Sequence, residues 1–175
     1  GTVFTIRLSG HGTANVWVQS SGGASGDTSV GVLLPRGEKQ GTINIPASHP
    51  DLIAVGATVN RNHWRDTTGT PFLVGDTDGS DSLLALDGTA TFSAAGPNAL
   101  GVMKPDLIAP GMYVIGAMSR AADPRTNGGV GVFASLGRCG DPDYECFVTD
   151  DHEHAVTSGT SMSSPLVAGA IALLL

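Results

Sequence analysis

The sequence predicts an α/β fold, and three observations carry that prediction. Leu52-Ile53-Ala54-Val55-Gly56-Ala57 follows the Pro-punctuated turn Ile43–Pro50 and has the length and composition of a short buried strand. Leu166–Leu175 is an apolar run of helical character, opened by the hydroxyl-rich turn Ser158-Gly159-Thr160-Ser161-Met162-Ser163-Ser164-Pro165. Between the two, 25 Gly and 10 Pro in 175 residues punctuate the chain so often that tight turns must join short elements.

The N-terminal part reads differently. Thr2–Leu8 and Thr13–Gln19 alternate or run apolar, joined by Ser9-Gly10-His11-Gly12 as a hairpin-like link. Residues 20–28 form a Ser/Gly-rich loop, and Val30–Leu34 is a third short strand that Pro35-Arg36-Gly37 ends. Residues 1–42 are therefore predicted as an antiparallel β-rich insertion module and 43–175 as the main body, one domain overall. A chain that starts at Gly1 and stops inside an apolar helical pattern is expected to be a piece of a longer polypeptide, clipped at both ends.

Composition removes several classes of partner. A formal charge of −7, with two Lys and seven Arg and no basic run, excludes a nucleic-acid or anionic-membrane surface. Leu166–Leu175 is too short to span a bilayer. Cys139 and Cys146 flank Gly140 and Pro142, so a turn can bring the sulfurs together. A local disulfide is the preferred reading, with two free thiols as the alternative; a bonded pair places the chain outside the cytoplasm, extracellular or in the cell envelope. Two ligands without a second pair do not make a zinc site.

Gly159-Thr160-Ser161-Met162-Ser163-Ser164-Pro165 resembles the G-T-S-M-[AS]-x-P signature of the subtilisin-like (subtilase) serine peptidases. Three further stretches resemble that family's core segments in the family's order. They are Pro46–Ala57, Phe92-Ser93-Ala94-Ala95-Gly96-Pro97 and Lys104-Pro105-Asp106-Leu107-Ile108-Ala109-Pro110-Gly111, so the likeness covers about residues 43–175. The resemblance implies part of a subtilisin-like parallel sheet and a serine-type endopeptidase acting on protein or peptide substrates through an acyl-enzyme. It implies no required cofactor. It assigns Ser161 as nucleophile, with Gly159 and Thr160 keeping the turn small enough for a substrate backbone. Ser161 at a helix start can offer its own N–H as the first oxyanion donor. Pro165 is expected in the first turn, where its missing N–H costs nothing. Without the second Gly of a G-x-S-x-G elbow, an α/β-hydrolase is disfavoured.

An acyl-transfer serine also needs a base and a carboxylate that orients it. Gly10-His11-Gly12-Thr13 resembles the start of the family's H-G-T-H motif, but Ala14 stands where the second His belongs. The first Asp is Asp27, after His11, and His49, His63, His152 and His154 carry no family motif. Ala24-Ser25-Gly26-Asp27 is similar to the family's oxyanion segment A-A-G-N with Asp for Asn, and a carboxylate there would repel an oxyanion. The triad Asp and His and the oxyanion Asn are therefore expected upstream of Gly1, in a missing N-terminal part that is this chain's partner. The isolated fragment is expected to be inactive. The alternative is a non-catalytic subtilase-like binding or scaffold module, and a third reading makes Trp17 a contact on the β module.

Two loops complete the reading. Asp76, Asp78 and Asp81 around Gly79 offer oxygen ligands for a structural Ca²⁺, with a solvated acidic turn as the competing reading. Residues 121–157 form a long loop before the nucleophile turn, and within it Asp150-Asp151-His152-Glu153-His154 is either a metal-binding cluster or a solvated run.

Overall fold

The computed structural model describes residues 6–16, 38–75, 82–123 and 145–175. Among these the chain forms strands β1 (Val55–Val59), β2 (His63–Arg65), β3 (Pro71–Leu73), β4 (Leu107–Met112), β5 (Val114–Ala117) and β6 (His154–Thr157). Helix α1 (Thr160–Leu174) follows. Single helical turns sit at Arg120–Ala122 and Glu145–Phe147.

The centre is a parallel pair. β1 runs beside β4 with Val55 opposite Leu107, Gly56 opposite Ile108 and Ala57 opposite Ala109, and the register slips after Thr58 so that Val59 faces Met112. α1 packs on both strands, and small residues allow it: Ala57 and Ala109 are buried in the strands, Ser163 and Val167 are the buried residues of the helix, and Ser163 Oγ reaches the Ala109 carbonyl. The other edge of β1 is not open. Val59 donates to the Gly88 carbonyl at 2.9 Å and accepts from Asp87 at 3.0 Å, while the Ala57 carbonyl accepts from Ala90 at 2.9 Å. The Ala57 N–H donates to Ser93 Oγ at 3.0 Å. Ser93, 1% exposed, thereby replaces a backbone acceptor where the irregular segment leaves the strand. The Phe92–Pro97 motif is a strand-edge closure.

The Lys104-Pro105-Asp106 motif is a polar lock at the entrance of the same sheet. Lys104 is buried, and its Nζ donates to the carbonyls of Pro50 (3.2 Å) and Leu52 (2.6 Å) and to Asp106 Oδ2 (2.8 Å). The same carboxylate oxygen accepts from Ala54 N–H at 2.7 Å, so the start of β1 and the start of β4 share one ion pair. Asn98, also buried, joins two loops by donating to Ser48 O and accepting from Leu100 and Val102.

A second, aromatic core lies beyond this sheet. Trp64 of the β2–β3 hairpin stacks obliquely on Phe72 and Tyr113, with ring centroids 4.9 and 5.4 Å away, and packs with Cys146, Phe147, Ala155 and Val156. Its indole N–H donates to the Cys146 carbonyl. The hairpin is closed by Asp66, whose Oδ1 accepts from Thr68 N, Thr68 Oγ1 and Thr70 N.

Two expectations differ from the structure. Ile6–Leu8 and Thr13–Val16, the described parts of two predicted strands, form no strand and are exposed; no described segment pairs with them, and an unpaired strand has nothing to satisfy its backbone. The rest of the predicted β module lies outside the described residues, as does Trp17. The long loop over 121–157 ends in ordered structure instead: β6 pairs antiparallel with β5, and Val148 and Val156 are fully buried. Apolar Ala155 and Val156 join the aromatic core, Val148 is buried in a bridge opposite Ala155, and that burial outweighs the polar composition around them.

Candidate active site

The segment Ser158–Ser163 joins β6 to α1 and is tied to the end of β4 by three hydrogen bonds. Ser158 Oγ accepts from the Tyr113 N–H at 2.9 Å. Gly159 N–H donates to the Gly111 carbonyl at 2.8 Å. Ser163 Oγ donates to the Ala109 carbonyl at 3.0 Å. Gly111 has to be glycine for this approach, because a Cβ there would stand 2.2 Å from Ser163 Oγ and 2.6 Å from Ala57 Cβ. Tyr113 follows with φ 57° and is itself clamped, its carbonyl accepting from Arg61 Nε at 3.0 Å.

On this support Ser161 is the second residue of α1 and is exposed. Met162 N–H turns back to the Gly159 carbonyl at 3.0 Å, whereas a helix leaves the N–H groups of its first residues without intrahelical acceptors. The Ser161 hydroxyl and the positive end of the helix therefore share one open face. Gly159 borders that face: a Cβ on it would lie 3.9 Å from Ser161 Oγ. Thr160, half-buried, begins the helix.

Pro165 differs from its expected place. It is the sixth helical residue, past the first turn, where its N–H would have donated to the Ser161 carbonyl. The helix begins one turn earlier than the Pro implies because the tertiary bonds at Gly159 and Ser163 fix its start.

The histidines are spread over the chain. His49 Nδ1 accepts from Asp51 N–H at 3.2 Å, His63 Nδ1 pairs with Asn62 Oδ1 at 2.9 Å, and His154 Nδ1 pairs with Asp151 Oδ2 at 2.6 Å. His11 is exposed between Gly10 and Gly12. None of them hydrogen-bonds Ser161, and neither does His152, which closes a turn onto Thr149 through its backbone.

The acidic run before β6 is a turn organised by one carboxylate. Asp151 accepts from Thr149 Oγ1 at 2.7 Å, from the N–H groups of Glu153 and His154, and from the His154 ring. No group of three or more potential ligands gathers around a common point among the described residues. The Thr149 hydroxyl, then the Glu153 N–H and the His154 donors, hold the Asp151 carboxyl well below the usual carboxylate range. A depressed folded-state pKa adds stability above the ordinary value near 4, and that stability is lost as pH falls toward the folded value. Asp151→Asn is accordingly expected to flatten the acid limb of a stability–pH profile below about pH 4 while lowering stability at pH 7, read by urea unfolding across pH.

Asp76, Asp78 and Asp81 lie outside the described residues, as does Cys139; Cys146 is buried in the aromatic core. Ser158, Ser163, Gly111 and Tyr113 were not foreseen as parts of the site. Ser163 left no signal of its own, since Thr160, Ser161 and Ser164 place hydroxyls at the same helix head.

The sequence matches the profile of the Subtilase family, peptidase group S8, over residues 8–175. It is 30% identical over 151 residues to subtilisin-like protease SBT1.6 of Arabidopsis thaliana, covering 83% of this chain and 17% of that protein. Subtilisin-like proteases SBT3.5 and SBT1.7 of the same plant are 37% and 38% identical over 87 residues, which is 49% of this chain and 8% and 9% of theirs. The chain thus spans less than a fifth of the length of these relatives. No described helix is long and apolar enough to cross a membrane. With the family profile matched from residue 8 to the last residue, and the Ser161 turn built at the head of α1, the chain belongs to the subtilase family.

Proposed function

We propose that the protein containing this chain is a serine-type endopeptidase in which Ser161 attacks the peptide carbonyl and forms an acyl-enzyme. The observation that carries the reading is the exposed Ser161 at the head of α1, on a turn bonded to β4 through Ser158, Gly159 and Ser163. The base, the carboxylate that orients it and the oxyanion Asn come from sequence upstream of Gly1, and residues 1–42 are an insertion between that part and the main body. Exposed Ile53, Leu107 and Ile108 beside the parallel pair, and the apolar flank of α1 at Leu166 and Ile171, suit packing against such a part. Protein or peptide is the substrate, and no cofactor is needed. The one metal the sequence invites is a structural calcium at Asp76, Asp78 and Asp81. Cys146 pairs with Cys139 in a local disulfide, in keeping with a secreted protein.

Labelling of the full-length protein with a fluorophosphonate tests this. Wild type labels, Ser161→Ala does not, and peptide hydrolysis falls by on the order of 10⁴-fold or more in the variant. The chain 1–175 alone does not label. A full-length wild type that takes up no probe points to a non-catalytic scaffold, and equal labelling of Ser161→Ala removes Ser161 as nucleophile.

A further inference from the structure

We infer that Arg61 is a positioning residue for Ser161, acting through Tyr113 and Ser158; the inference rests on Ser161 attacking as proposed above. Tyr113 stands alone between β4 and β5, where the chain passes from its parallel pairing with β1 to its antiparallel pairing with β6. It makes that passage at φ 57°, in the left-handed region that a residue with a Cβ keeps only where its surroundings hold it there. Relaxing φ would turn the Tyr113 N–H relative to its carbonyl, and both are in use. The N–H donates to Ser158 Oγ at 2.9 Å, and the carbonyl accepts from Arg61 Nε at 3.0 Å.

The exit of β1 holds both peptide bonds that flank Tyr113. Asn60 donates its backbone N–H to the Met112 carbonyl at 2.9 Å, and half-buried Arg61 takes the Tyr113 carbonyl. Asn60 Nδ2 reaches that same carbonyl only at 3.5 Å, so Arg61 makes the main bond. The Tyr113 ring packs on Trp64, which fixes the side chain and leaves the carbonyl to Arg61. From Ser158 the path to Ser161 is short. Gly159 N–H is pinned on the Gly111 carbonyl at 2.8 Å, so Ser158 and Gly159 rest side by side on Tyr113 and Gly111. Release of Ser158 leaves one bond on that flank, at a glycine whose backbone turns freely, and Ser161 lies two residues on. Arg61, Tyr113 and Ser158 all lie outside the stretches that carry the family resemblance, so the clamp is a feature of this chain and not of the signature.

The test compares wild type, Arg61→Met, Arg61→Gln, Ser158→Ala, the Arg61→Met/Ser158→Ala double variant and Ser161→Ala in the full-length protein, by fluorophosphonate labelling rate, kcat, KM and urea unfolding. Displacing a reacting group by up to an ångström lowers the rate by about ten- to a hundredfold. Arg61→Met keeps the length of the stem and loses the donor, so it is expected to lose that much in kcat and labelling rate with KM within about twofold. The Gln amide nitrogen stands the same number of bonds from Cα as Arg Nε, so Arg61→Gln is expected to regain the rate to within about threefold of wild type. Ser158→Ala is expected to lose as much as Arg61→Met, and it reads the same link where the methionine variant does not fold. The double variant should lose no more than the larger single loss, because both changes break one path. Wild-type labelling in folded Arg61→Met or Ser158→Ala overturns the inference. So do multiplying losses in the double variant, an Arg61→Gln as slow as Arg61→Met, or a loss that only follows the folded fraction. A Ser161→Ala protein that still labels overturns the nucleophile assignment itself, which is a different failure.

Discussion

Gly111→Ala is expected to destabilise the protein by about 3 kcal/mol and to abolish labelling at Ser161. The added methyl would meet Ser163 Oγ at 2.2 Å, Ala57 Cβ at 2.6 Å and the Gly159 carbonyl at 3.0 Å. The hydroxyl could rotate away, but Ala57 belongs to β1 and the Gly159 carbonyl is backbone at the start of α1, and neither is a flexible side-chain end. Relief must come from separating α1 from the sheet, which breaks the bonds of Gly159 and Ser163 to β4. Urea unfolding and probe uptake should therefore fall together. A Gly111→Ala protein with wild-type stability would show that helix and strand are not packed as closely as described.

Lys104→Met is expected to cost about 3 kcal/mol at pH 7, read from the urea midpoint with an unchanged slope. Methionine fills the volume, yet it leaves the Pro50 and Leu52 carbonyls without their donor and Asp106 without its counter-charge. The Lys104 ammonium, then the Ala54 N–H, hold the Asp106 carboxyl below its ordinary range. Its stabilisation is present above pH about 4 and lost on acidification, so the variant should also lose part of its acid dependence. Since this lock lies at the sheet entrance, labelling of the folded variant should change little.

How much of this was legible beforehand differs by element. Leu52–Ala57 and Leu166–Leu175 announced themselves as continuous apolar runs; the first became strand only from Val55 onward, and the second is helix up to Leu174, with most of its apolar side chains, Leu166 and Ile171 among them, exposed. A parallel sheet was implied only by the family resemblance, and the pairing of β1 with β4 was not foreseen, since pairing partners leave no local trace. The β2–β3 hairpin escaped notice: three-residue strands such as His63–Arg65 are too short to show alternation, and their stability comes from Trp64 meeting residues 82 positions away. Ile6–Leu8 shows the converse, where strand-like composition found no partner among the described residues. In the candidate site, the motif pointed to Ser161 as the residue to examine, while Ser158, Gly111 and Ser163 act through contacts of 45 or more positions in separation that one sequence does not display.

Trp64 also gives the molecule an optical reporter. Of its two tryptophans, this one is 5% exposed and lies against Phe72 and Tyr113. Tyr113 is the residue whose N–H donates to Ser158, so the indole sits one neighbour away from the Ser161 turn. Its emission therefore follows the seating of that turn as well as the unfolding of the aromatic core, and the two events are separable by wavelength wherever the turn loosens before the core opens to water.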